Sequence, residues 1–367
     1  MVTLKEFLGN RKISTETWDT FEVLDVHPSE LEIKLVERPY PEPDAARRAR
    51  FEYFKEVELP NTLTWLERRS ARLSDGRQFF IGEYKKVSEN AVPLALFERL
   101  PNGEAKRMNY DGDQHVNLHQ IVRSDDGVRL EVYQILYSEW MACKSRRFTA
   151  AYDAIGKRPG AGIGINETIE SSDEFFIGTQ RPIDTTNYPG TVFAVGGALP
   201  PMNTFAQAIY QQKLQEIGLK PILKPEDPDY DPKAEAHYNP DESRVLIIGS
   251  DMYYGGGAHP RLEIAGYSKA RISFKRIIQL QKTTPGQTDV SGLVIFPTTP
   301  VEFTSRVAIM GATGELLTTG EMSLAYAFLA KRLQETGPEI ANKDYETLNR
   351  MLNLYKRTEF LIPEIKG

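Results

Sequence analysis

The stretch "SRVLIIGSDMYYGGGAHPRLEIAGYSKA", residues 243–270, decides how the chain is read. An apolar run, Val245-Leu246-Ile247-Ile248, breaks into Asp251, then Tyr253, Tyr254 and the glycines 255–257. His259, Pro260 and Glu263 follow. Two readings fit this pattern: a strand opening on a ligand crevice, or a core strand leading to a surface loop in a β-rich shell.

Working outward, the segment upstream has the texture of an α/β unit. "TVFAV" (Thr191–Val195) is a short β-branched run that ends in Gly196-Gly197. "NTFAQAIYQQKLQEIG" then carries Phe205, Ile209, Leu214 and Ile217 at helical spacing, with Asn203 or Thr204 to cap its start and Gly218 to end it. "KPIL" (220–223) reads as a second strand and "RVLII" (244–248) as a third. Strand, helix and strand in this order predict a small parallel sheet. The proline-rich acidic run between 224 and 241 reads as an exposed insertion, and two apolar-striped helices close the chain, the first with Thr318 and Glu321 as a capping box.

The first 145 residues read instead as an antiparallel β meander or barrel. "LEIKLV" and "FEYFKEV" alternate with period two, and Asp75-Gly76, Asn102-Gly103, Asp111-Gly112 and Asp126-Gly127 offer hairpin turns. Residues 146–189 break the pattern with glycines 156, 160, 162 and 164 and read as a linker or extended loop. The expected fold is therefore mixed α+β and α/β. A β-rich domain spans 1–145, a linker 146–189, and an α/β domain with C-terminal helices 190–367.

Bulk properties narrow the function. The 367 residues, 40% hydrophobic and 26% charged, describe a globular chain. A net charge of −6 argues against a nucleic-acid partner, which needs clustered cations. No run reaches the length of a membrane span, and residues 1–20 lack a signal-peptide core. The single cysteine, Cys143, excludes an intrachain disulfide, so a cytoplasmic setting is expected. His115 and His119 fall on a strand-like segment, too far apart for a shared metal, and Asp227, Asp229 and Asp231 lack the glycine and glutamate of a calcium loop. Neither a metal nor a cofactor is expected.

"VLIIGSD … HPRLEIAGYSKA" resembles nucleoside 2-deoxyribosyltransferase-like domains and their TIR-like relatives, over about residues 190–282. The resemblance implies an N-glycosidase or transferase acting on a nucleoside or nucleotide. It makes Glu263 the nucleophile and Asp251 the acid that orients the sugar. Gly196, Gly197, Tyr253, Tyr254, Gly256 and His259 become the ligand contacts. The even-numbered apolar positions from Leu262 onward point the other way, to a β-hairpin "RLEIAGYSKARISF" with Glu263 an exposed charge. The second functional reading is a self-assembling structural protein, such as a virion or tail subunit. A homo-oligomer is expected under both.

Overall fold

The computed structural model describes residues 2–15, 18–86, 88–110, 114–124, 127–157, 159, 162–183, 190–199, 204–223, 225, 235–251, 261–283 and 290–354. In chain order the first elements are α1 (Leu4–Leu8), β1 (Trp18–Val26), β2 (Leu31–Leu35), α2 (Asp44–Tyr53) and α3 (Leu59–Leu73). Next come β3 (Gln78–Glu83), β4 (Leu94–Arg99), β5 (Ala105–Tyr110), β6 (Gln114–Ser124), β7 (Gly127–Leu136), α4 (Tyr137–Ala142) and α5 (Arg146–Asp153). The central part holds β8 (Ile163–Glu170), β9 (Phe175–Gln180), β10 (Val192–Phe193), β11 (Val195–Ala198), α6 (Phe205–Ile217), β12 (Arg244–Asp251) and β13 (Arg261–Lys269). The chain closes with α7 (Phe274–Thr283), β14 (Gly292–Pro297), α8 (Pro300–Ala312), α9 (Thr318–Thr336) and α10 (Pro338–Leu354).

A mixed eight-stranded sheet organises the molecule, in the order β1-β12-β13-β8-β9-β10, with β11 on β8 and β14 on β9. One face is covered by α9, which is buried on almost every side and carries Met322, Leu324, Phe328 and Leu329 into the core. Trp18, Phe176, Tyr267, Phe303 and Phe328 belong to that core. Against the opposite face pack α6 and a second sheet, β2-β7-β6, through Leu130, Val132, Ile165, Phe205, Ile248 and Ile264. A third sheet, β3-β4-β5, lies on α3.

The mixed fold class agrees with the expectation, but several elements differ. Residues 44–73 are helical, running from α2 through a π-turn at Phe54–Glu58 into α3. The two-residue alternation in "FEYFKEV" is the local part of a helical stripe that continues through Phe51, Phe54, Leu59, Leu63 and Leu66. Asp75-Gly76 consequently follows a helix rather than joining two strands. Asn102-Gly103 does close the β4–β5 hairpin, and Gly127 opens β7 opposite Ser124. Asp111-Gly112 lies outside the described residues.

The stretch read as a linker contains α5 and two strands of the main sheet, β8 and β9. Every residue of β8 is buried, so its polar side chains are core groups and not loop signals. Nor is the 190–367 segment self-contained, since β1 forms the edge of its sheet by pairing with β12. The sheet is largely antiparallel, with β13 and β8 as its parallel pair. "KPIL" contributes a single bridge, Pro221 to Tyr238, and Thr318 is the first residue of α9 rather than a side-chain cap.

Candidate functional site

The ends of β11 and β12 define the region. Ala198 pairs with Gly164 and Asp251 with Arg261, while Leu262 pairs with Ile163. The C-terminal ends of β11 and β12 therefore emerge at the end of the sheet where β8 and β13 begin. They are not neighbours, because β13 and β8 lie between them. The next described element in sequence is α6, whose first turn is capped by the Thr204 hydroxyl accepting from the Gln207 N–H.

The two glycines serve close packing. A Cβ on Gly196 would fall 1.9 Å from the Ile165 carbonyl oxygen, and one on Gly197 would fall 2.7 Å from the Gln212 side chain. The Gly196 N–H donates to the Glu216 carboxylate at 3.1 Å, tying β11 to α6. Lys213 lies between these helix positions and is 1% exposed. It donates to Glu167 at 3.0 Å and to Ser268 at 3.4 Å, and its Nζ stands 3.7 Å from the centre of the Tyr238 ring. Burial lowers the Lys213 pKa, and the Glu167 carboxylate opposes that shift. The second Glu167 oxygen has no hydrogen-bond partner among the described residues.

On the other face of β8 lies a second polar row. Asn166 donates to Glu263 at 2.6 Å, the Thr168 and Ser323 hydroxyls share a 2.9 Å hydrogen bond, and Lys331 donates to Glu170 at 2.6 Å. Tyr267 also bonds Glu170, and its burial holds the phenol firmly protonated. Glu263 is 1% exposed, so it is neither the exposed cross-strand charge nor a carboxylate open to solvent. Residues 261–269 form one strand whose hairpin partner is β12, rather than a helix or a hairpin of their own. Register puts Asp251, opposite Arg261, two residue pairs beyond the Gly249–Glu263 pair, so the two positions lie toward one end of the sheet. Gly196 and Gly197 sit across β8 from Glu263. Tyr253, Tyr254, Gly256 and His259 lie outside the described residues.

Glu167, Asn166, Lys213 and Glu216 were not singled out from sequence. Lys213 carried a signal, since it falls one turn from both Ile209 and Ile217 on the apolar stripe of α6. Elsewhere, an open cleft of about 760 Å³ lies between β14, β9 and α8. Its Arg306 is outnumbered by Glu302 and Glu315, which disfavours a phosphate there. Among the described residues, no group of three metal-binding side chains and no helix long and apolar enough to cross a membrane occurs.

No family model matches the sequence, and no curated protein matches it significantly. Solved structures overlap it partially. DR0079 from Deinococcus radiodurans gives a TM-score of 0.29 at 15% identity, covering 54% of this chain and 90% of its own. A NUDIX-family hydrolase from Clostridium perfringens gives 0.29 at 14%, covering 47% and 97%. A MutT protein from Methanosarcina mazei gives 0.26 at 9%, covering 47% and 95%. The topology overturns the resemblance to deoxyribosyltransferase-like and TIR-like domains. Strands β12 and β13 are consecutive and antiparallel, and Glu263 is inside a buried strand where the resemblance requires a turn.

Proposed function

We propose that the chain binds a nucleoside or nucleotide at the sheet end where β11 and β12 terminate. The observation that carries this reading is the polar lining between α6 and the sheet. Gln212, Lys213 and Glu216 turn inward beside Gly196 and Gly197, where a purely structural helix would place apolar side chains. The carboxyl ends of β11 and β12 and the capped start of α6 belong to one end of the sheet region, and a helix start supplies free N–H groups that favour a phosphate. Asp251 belongs to the same end, and Tyr253, Tyr254, Gly256 and His259 follow it in sequence, which keeps them as candidate contacts. Glu263, bonded to Asn166, supports the strand behind the site.

Isothermal titration with adenosine, AMP, ADP and NAD at neutral pH tests the reading. At least one phosphate-bearing member is expected to bind with a micromolar Kd and to lose affinity in Gly197→Val, which forces Gln212 aside. Absence of heat for the whole set at millimolar ligand would contradict it.

A further inference from the structure

The solvent side of the third sheet carries chemistry that the nucleotide reading does not use. Antiparallel register sets Phe80 opposite Phe97, Phe97 opposite Arg107, and Arg99 opposite Ala105. Directly paired residues share a face, so Phe80, Phe97, Arg99 and Arg107 project together. The reverse face, with Phe79, Ile81, Leu96 and Met108, packs on α3. Glu98, opposite Phe79, belongs to that reverse face. No strand position on the Phe80–Phe97 face of β3, β4 or β5 carries a carboxylate.

The Phe80 and Phe97 rings stack at 5.4 Å with planes 16° apart, and both are only partly buried. A Cβ on Gly82 would come within 3.2 Å of the Phe97 ring and 3.4 Å of the Phe80 ring, so the missing side chain leaves room for the stacked pair. Exposed guanidinium groups frame the rings, with Arg99 5.4 Å from the Phe80 centroid and Arg107 5.2 Å from that of Tyr84. Lys85 and Lys86, just past β3, are exposed as well.

We propose that this face binds single-stranded nucleic acid. Phe97 is partly exposed beside the stack it makes with Phe80, an unpaired base can extend such a stack, and the exposed arginines next to the rings can hold flanking phosphates. A duplex keeps its bases stacked inside and gains only the charge contacts. The overall charge of −6 does not oppose this, because a polyanion responds to the local field of the face it meets. The face lies on different strands from the nucleotide site, and the proposal stands independently of it.

Fluorescence anisotropy of a labelled oligo(U) of about 12 nucleotides at low salt gives the test. The expected result is a micromolar Kd, at least about tenfold tighter than for a blunt RNA duplex of equal length. Arg99→Glu with Arg107→Glu should weaken binding by about tenfold or more with an unchanged melting temperature. Phe97→Leu, which still covers Gly82, should weaken it by about fivefold. No binding at 100-fold above micromolar protein, equal affinity for the duplex, arginine variants that bind like wild type, or equal competition by polyglutamate would each overturn the proposal.

Discussion

Glu263 shows how much one residue's meaning depends on its strand. It is held by the Asn166 amide inside the sheet. Removing the acceptor leaves a buried donor without that bond, which costs about 1–3 kcal/mol. Glu263→Ala is therefore expected to lower the urea midpoint by that equivalent; a change below about 0.5 kcal/mol is what an exposed carboxylate would give and would contradict the burial. Lys213 and Glu167 obey related physics. A buried ion pair need not stabilise a protein relative to apolar replacements, yet breaking one partner away is costly. That cost falls on the helix face that packs beside the two glycines.

At the scale of elements, local rules held where one segment decides its own geometry. The start and end of α6 were legible because Thr204 and Gly218 are direct chemical signals, and the Asn102-Gly103 turn because glycine supplies a positive φ. Gly103 sits at φ 86°, so Gly103→Val is expected to cost about 1–2 kcal/mol, read as a lower denaturation midpoint; an unchanged midpoint would mean the hairpin tolerates the strain. Local rules failed where a longer period or a distant partner decides. The residues from Phe51 to Val57 look like a strand until the stripe is followed to Leu66. The polar letters of "INETIE" look like a loop, because the partners of Asn166, Glu167 and Glu170 are Glu263, Lys213 and Lys331, all distant in sequence.

For the whole molecule, the main sheet joins β1 from one end of the chain to β12 and β8 from its middle. Pairings of that kind leave no mark in local composition, which is why the boundary drawn through 146–189 ran across two sheet strands. Limited proteolysis should therefore spare 163–180, whose backbone is paired and buried, and cut first in the polar, proline-rich 224–241 segment. An early cut within 163–180 would show that β8 and β9 are not held as described. The candidate site was legible only in part: its glycines and Asp251 stand out in sequence, whereas its helix-borne polar lining depends on the packing of α6 against β11, which local sequence does not encode.

Hydrogen–deuterium exchange with and without a saturating ligand from the nucleotide set tests the location most directly. Protection is expected in Val195–Ala198, in the first turns of α6, and at the adjoining ends of β12 and β13. Protection confined to the α8 cleft or to β3–β5, or no change at saturation, would contradict the assignment of the site.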